Sequence, residues 1–300
     1  MEAVYGSPLA ELAAAGPGAP QTSPLIIDSE AIEAIEAGSL ARFLIAAPPG
    51  TLERRYVLAQ GLRALASDGE LIALAPKDKG GSRLRKELEV FGCEVRETAR
   101  RHHRICHCAR PACAHGLDAA IAAGGPQIAP ALGLWSQPGV FSWDRLDPGS
   151  ALLLEHLGDL AGRGADLGCG LGVLARAALK SGAVSEMTLI ELDRRATEAA
   201  QRNIDDPRAG VLQRDLRRPV GELTGLDFVI MNPPFHAGGG EDRGLSAAFV
   251  TSAAGMLRKG GICRLVANVA LPYETLMAPV FASVTLLARA GGYKGLEGRG

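Results

Sequence analysis

The stretch Ala165-Asp166-Leu167-Gly168-Cys169-Gly170-Leu171-Gly172 limits the possible fold more than any other part of the chain. Three glycines at alternate positions follow a short expected strand, Ala165–Leu167, and lead into a helical pattern over Leu171–Ser181. Glycine permits the turn conformations closed to other residues and lets a ligand approach the backbone with no Cβ in the way. The helix beyond it offers unpaired N–H groups to an anionic group. A strand–turn–helix junction of this kind belongs to a sheet of parallel strands covered by helices, where ligands sit beyond the C-terminal strand ends. Dinucleotide sites usually space their glycines as G-x-G-x-x-G. Here the spacing is G-x-G-x-G, with Asp166 two residues ahead of the first glycine.

The rest of the second half alternates in the same way. Strands are expected at Met187–Glu191, Gly210–Gln213, Asp227–Met231 and Ile262–Val269, and helices at Ser150–Leu160, Arg194–Ile204 and Leu245–Leu257. Gly260-Gly261 stops the last of these helices. Val280–Ala288 and the residues after it suit a closing hairpin. Upstream, a first α/β unit runs from Ile26 to about Gly116, with strands at Leu40–Ala46 and Glu70–Ala75, a helix over Leu52–Ser67, a basic helix over Gly81–Phe91 and a strand pair within Glu94–Cys108. Residues 1–24, rich in Ala, Gly, Pro and Ser, suggest a loose leader. The Gly/Pro-rich stretch Ala122–Gly139 separates the halves and places the domains at 1–124 and 125–300.

Composition narrows the class. Hydrophobic residues make up 47% and aromatics only 4%, so the cores must be built from Ala, Leu, Val and Ile. A net charge of −1 excludes a chain that advertises itself to nucleic acid by overall charge, though not a local basic patch. No apolar run has membrane-spanning length, and Met1–Gly16 holds no Lys or Arg, unlike a secretory signal. A cytoplasmic address is expected, with the six cysteines as thiols.

Two acids follow the glycine loop at strand ends. Glu191, with Asp193 close behind, can accept both hydroxyls of a ribose. Asp215, just past the next strand, suits an adenine amino group. A nucleotide-dependent oxidoreductase would also explain the glycines and Glu191, but not the turn Asn232-Pro233-Pro234-Phe235-His236 that ends the strand after them. Its two prolines remove two backbone donors and stiffen the chain. What remains is a rigid pair of acceptors, the Asn232 side-chain carbonyl and the Pro233 carbonyl, beside the flat face of Phe235. That set suits a planar amine conjugated to a ring, whose two N–H bonds it can grip and whose developing positive charge it can stabilise. His236 is a candidate for receiving a proton or for a supporting position nearby.

Together these residues resemble a known pattern. The second half resembles the class I methyltransferases, with the Asp166–Gly172 loop as cofactor motif and Asn232–Phe235 as catalytic motif. It is most similar to the bacterial ribosomal RNA guanine-N2 methyltransferases, especially those of the small subunit. The resemblance rests on 138–142, Leu146-Asp147, Gly149-Ser150, 232–236, 264–268, 271–273 and 292–294. It implies a Rossmann-like catalytic domain preceded by a smaller, degenerate copy that lacks both motifs. It further implies S-adenosylmethionine held by Phe141, Asp166, Gly168, Gly170, Gly172, Glu191, Asp215 and Asn232. Catalysis would fall to Asn232, Pro233, Pro234 and Phe235, and the substrate would be a guanine of 16S rRNA lying against Phe235 and His236. The resemblance leaves large-subunit guanines as an alternative, as well as glutamine side chains and adenine N6, whose enzymes usually have Tyr in place of Phe235.

In the first unit, Lys77 to Arg110 holds ten Lys or Arg against five Asp or Glu, and Arg83, Arg85 and Lys86 are candidates for gripping rRNA phosphates. His102, His103, Cys106, His107, Cys108, Cys113 and His115 match no standard zinc spacing, so no metal is expected. No stable protein partner is implied.

Overall fold

The computed structural model describes residues 1–218, 220–221, 223–234, 236–237, 240–241 and 243–300. The chain divides into two compact units, Met1–Gln127 with Gln137–Gly139, and Ile128–Ser136 with Val140–Gly300.

The first unit is a five-stranded sheet in the order β1-β2-β3-β5-β4. Its elements are β1 (Glu2–Tyr5), β2 (Leu40–Ala46), α1 (Thr51–Ala64), β3 (Leu65–Pro76), α2 (Ser82–Val90), β4 (Arg96–Arg100), β5 (His103–Ala109) and α3 (Leu117–Gly124). The expected loose leader is wrong at its start: Glu2–Tyr5 pairs in parallel with Arg42–Ile45 and forms the edge of the sheet. Four residues around glycines and prolines carry too little apolar pattern to show a strand; pairing with β2 creates it. Along β5 the side chains alternate, as a strand requires. Cys106 and Cys108 are buried in the core, while His107 turns to Glu70 at 3.0 Å. Among the described residues no group of three His, Cys, Asp or Glu gathers to hold a metal.

Between the two large sheets in sequence come the short strands β6 (Gln127–Ala129) and β7 (Leu134–Ser136). The second unit then runs α4 (Pro148–Glu155), β8 (Gly162–Leu167), α5 (Val173–Ala178), β9 (Val184–Glu191), α6 (Arg194–Asn203), β10 (Ala209–Gln213) and β11 (Leu226–Met231). It continues with β12 (His236–Ala237), β13 (Gly240–Glu241), α7 (Arg243–Met256), β14 (Leu257–Asn268), α8 (Tyr273–Met277), β15 (Ser283–Ala290) and β16 (Tyr293–Arg299). Its seven-stranded sheet has the order β10-β9-β8-β11-β14-β16-β15. The first five strands are parallel, and β16 enters antiparallel between β14 and β15. This is the expected Rossmann-like α/β architecture, with the chain reversing direction across the sheet between β8 and β11, where a ligand crevice opens. The central strands carry unbroken apolar runs such as Val229-Ile230-Met231, all fully buried, as strands covered on both faces must. Helix α4 is shorter than the apolar pattern Ser150–Leu160 suggested; it stops at Glu155, and Gly158 follows in a left-handed turn at φ 55.

The two sheets share a plan. In order and in strand sense, β1-β2-β3-β5-β4 repeats β8-β11-β14-β16-β15. The first sheet has no counterpart of β9 and β10. After β2 stands Ala47-Pro48-Pro49, where Asn232-Pro233-Pro234 stands after β11.

Candidate active site

Strand pairing places the site. In β8 and β11, neighbours in the sheet, Leu167 lies opposite Met231. The next residue on each strand, Gly168 and Asn232, therefore starts one of two turns that leave the sheet side by side. Gly168, Gly170 and Gly172 all take left-handed backbone, at φ 69, 53 and 81. Side chains with a Cβ are strained there, which is why this loop is glycine at each alternate position. The two turns face a common cleft, lined by Gly168 and Gly170 on one side and Asn232, Asp147 and Ser150 on the other, with Phe141 at its border. Phe141 is 62% exposed, a large apolar face left open beside the cleft.

Two carboxyl groups lie beneath the glycine loop. Asp166 is fully buried; its Oδ2 accepts from the Ala175 backbone N at 3.1 Å, which pins the first turn of α5. Its Oδ1 has no hydrogen-bond partner among the described residues. Burial pushes this carboxyl up from 3.8 to about 7, against the Ala175 N–H and with a further push from the charge of Glu191. Glu191 accepts from the backbone N of Gly170 at 2.9 Å, Leu192 at 2.7 Å and Asp193 at 3.1 Å. Burial raises its carboxyl too, held back by the Asp193 and Gly170 N–H groups. Two desolvated acids, one with an orphaned oxygen, form a setting that favours a cation. Burial raises the Cys169 thiol well above its ordinary value, so it stays protonated and is no nucleophile.

Asn232 is anchored from the other side. Its Nδ2 donates to Asp147 Oδ2 at 2.8 Å and to Ser150 Oγ at 2.9 Å. Asp147 is the N-cap of α4, accepting from Ser150 N at 2.8 Å, with Pro148 in the first turn. Gly149 leaves the room this needs: a Cβ there would lie 3.0 Å from Asp147 Oδ2 and 2.9 Å from the Tyr293 ring.

The family description "Methyltransferase small domain" matches residues 131–297, more than half of the chain and nearly all of the second unit. The chain belongs to this methyltransferase family. Similar curated relatives are the proteins named ribosomal RNA small subunit methyltransferase C. That of Pseudomonas entomophila is 32% identical over 259 residues, covering 82% of this chain and 75% of the relative. That of Shewanella sp. strain W3-18-1 is 38% identical over 159 residues, covering 52% of this chain and 45% of the relative. Among solved structures, the T. thermophilus 16S rRNA N2 methyltransferase in complex with AdoMet and guanosine superimposes with a TM-score of 0.76 at 29% identity, covering 89% of this chain and 75% of that one.

Not every residue singled out from the sequence of this methyltransferase meets the cleft. Asp215 does not line it; both its oxygens accept from the Arg217 side chain at 2.8 to 3.1 Å, which holds its carboxyl below the usual range. Pro233 is buried and Pro234 exposed at the head of the turn. Phe235 lies outside the described residues, and His236 is placed only as backbone, paired with Glu241 across β12 and β13. Arg83, Arg85 and Lys86 stand exposed on α2 of the first unit, Arg85 paired with Glu89 at 2.7 Å. Sequence reasoning noted Asp147 and Ser150 as matching residues without giving them a task. The available signal was Asp-Pro-x-Ser ahead of an apolar run, which marks a helix N-cap. Nothing in it shows that the cap also holds an asparagine more than eighty positions later.

Proposed function

We propose that this methyltransferase moves a methyl group from S-adenosylmethionine to the exocyclic N2 of a guanine in 16S ribosomal RNA. The observation that carries the reading is the register of β8 against β11, which opens the glycine turn and the Asn-Pro-Pro turn into one cleft. S-adenosylmethionine supplies an electrophilic methyl on a sulfonium and carries the positive charge that the buried acids Asp166 and Glu191 lack. Gly168, Gly170 and Gly172 would give it backbone to lie against, with Glu191 taking the ribose and Asp215 the adenine once Arg217 yields.

On the acceptor side, Asn232 Oδ1 and the Pro233 carbonyl hold the two N–H bonds of the guanine amine, and Phe235 with His236 faces the base. Held this way, the nitrogen lone pair points out of the ring plane. It forms the N–C bond as the C–S bond breaks, sulfur keeps the electron pair, and one amine proton passes to water. Rate enhancement comes from positioning and from carbonyl dipoles aimed at the charge growing on nitrogen, with no strong base needed. The relatives named for small-subunit rRNA, and the superposition on a structure holding AdoMet and guanosine, support guanine over glutamine or adenine.

The first unit serves as a truncated copy that has lost the cofactor half of the sheet. Ala47 stands where Asn232 would be needed, so it contributes binding through Arg83, Arg85 and Lys86 rather than chemistry. The assembled small subunit in the cytoplasm is the expected setting, and no helix of the described residues is long and apolar enough to cross a membrane.

Labelled methyl transfer to small and large subunits from a strain lacking the modification, followed by nucleoside analysis, tests the assignment. N2-methylguanosine in 16S rRNA is expected. Label in N6-methyladenosine, in a protein glutamine or in 23S rRNA alone overturns it.

A further inference from the structure

An asparagine amide has two faces that differ only in which end donates and which accepts. For Asn232 the difference decides everything: a carbonyl facing the cleft can hold an amine N–H, whereas an NH2 group there would repel it. The backbone of the Asn-Pro-Pro turn does not settle which end points inward, because the side chain can rotate by half a turn at almost no steric cost.

We propose that Asp147 is the positioning residue that orients the Asn232 amide, with Ser150 as its helper, and so selects an amine as the group the cleft can methylate. The proposal rests on the amine-methylation reading of the same cleft. An ionised carboxylate accepts hydrogen bonds and donates none. With Asp147 Oδ2 at 2.8 Å, Asn232 must turn Nδ2 toward it, and Oδ1 is the polar atom left for the cleft. The reversed amide would set Oδ1 against an oxygen of the Asp147 carboxylate, which is only 9% exposed and so little screened by water. Ser150 Oγ, at 2.9 Å, adds a second acceptor but cannot decide the matter, because a hydroxyl both donates and accepts. Asp147 in turn cannot swing away. Its Oδ2 also accepts from Ser150 N at the start of α4, and Tyr293 packs behind Gly149. The helix cap and the amide lock are thus one oxygen doing two tasks.

The test is Asp147→Asn beside Ser150→Ala in the full chain, measured by steady-state methyl transfer to small subunits, by cofactor titration calorimetry and by thermal unfolding. Asn caps helices about as well as Asp, so the fold is kept. In the capping rotamer its carbonyl oxygen holds Ser150 N and Asn232 Nδ2 only as a neutral acceptor. In the flipped rotamer its NH2 faces Asn232 and rewards the reversed amide, so the carboxylate's exclusive choice is lost. Expected for Asp147→Asn is a kcat lower by about 10- to 100-fold, below the full loss of a catalytic dipole, with KM for the subunit and Kd for S-adenosylmethionine within about threefold of wild type. Ser150→Ala removes one hydrogen bond to Asn232 but keeps the carboxylate, so its kcat should fall clearly less than that of Asp147→Asn. A kcat for Asp147→Asn within about threefold of wild type overturns the proposal. So does a loss matched by a parallel loss of melting temperature or cofactor affinity, which marks Asp147 as purely structural, or an equal loss in Ser150→Ala. Wild type is the control for the underlying reading: a wild type inactive on small subunits defeats amine methylation itself, whereas an active wild type with an equally active Asp147→Asn defeats only this role.

Discussion

Replacing Asp166 by Asn should make the protein more stable and its cofactor binding worse, and the size of the first effect follows from the burial of one oxygen. Asp166 is fully buried, its Oδ1 without a hydrogen-bond partner among the described residues, and its carboxyl is raised from 3.8 to about 7. A carboxyl that binds its proton more tightly in the folded than in the unfolded chain stabilises the fold while protonated. That contribution is complete below about pH 4 and is lost as pH rises through 7. At about 1.4 kcal/mol per tenfold change in proton affinity, the loss by pH 8 is on the order of 4 kcal/mol, of which on the order of 2 kcal/mol is already gone at pH 5. Asparagine keeps an acceptor for the Ala175 N–H and carries no charge at any pH, so it escapes the loss. Without cofactor, Asp166→Asn should therefore exceed wild type in unfolding free energy by an amount that grows from pH 5 to pH 8. Urea unfolding followed by tryptophan fluorescence measures it cleanly, because both tryptophans, Trp135 and Trp143, belong to the second unit. Calorimetry on the same samples should show S-adenosylmethionine bound at least about tenfold more weakly, since a charged partner is worth on the order of 1.5–3 kcal/mol. An Asp166→Asn protein less stable than wild type at pH 8, or a gain of equal size at both pH values, would refute the argument that this carboxyl is held at a cost for a cationic ligand.

Asn232→Ala should lower kcat by about 100- to 1000-fold, the cost of one dipole aimed at developing charge, while calorimetry finds cofactor affinity changed only a few-fold; retained turnover would contradict the acceptor role of its carbonyl. Glu191→Gln removes the charge that holds the Gly170 N–H at 2.9 Å and that the proposed reading assigns to the ribose, so cofactor affinity should fall by about tenfold or more, and an unchanged Kd would count against it. Replacing Arg83, Arg85 and Lys86 together by Ala should weaken rRNA binding and flatten its dependence on log salt by about two, as three lost phosphate contacts require. Cofactor affinity should stay at the wild-type value in that triple variant, and an unaltered salt slope would remove the first unit's basic helix from the interface.

Much of the catalytic unit was legible because its signals are local. The glycines at 168, 170 and 172 declare left-handed backbone, and the structure has all three there. The apolar runs ending at Glu191, Gln213 and Met231 are strands that end at those residues. What failed to show was whatever depends on a distant partner. Glu2–Tyr5 is a strand only because β2 offers it an edge. Asp215 stands just past a strand end as expected, and only the fold shows its carboxylate outside the cleft lining, held by the Arg217 side chain.

The order of residues along the chain thus determined the type of site: glycine permits one kind of turn, proline stiffens another, and acids just at strand ends offer acceptors for hydroxyl and amino groups. These are properties of single residues and their immediate neighbours. The tertiary structure alone decided that Leu167 lies against Met231, that the Asp147 cap reaches Asn232, and that Asp166 keeps an oxygen without a partner among the described residues. Each depends on strands and helices brought together across tens of residues, and no local preference of the backbone encodes such a meeting.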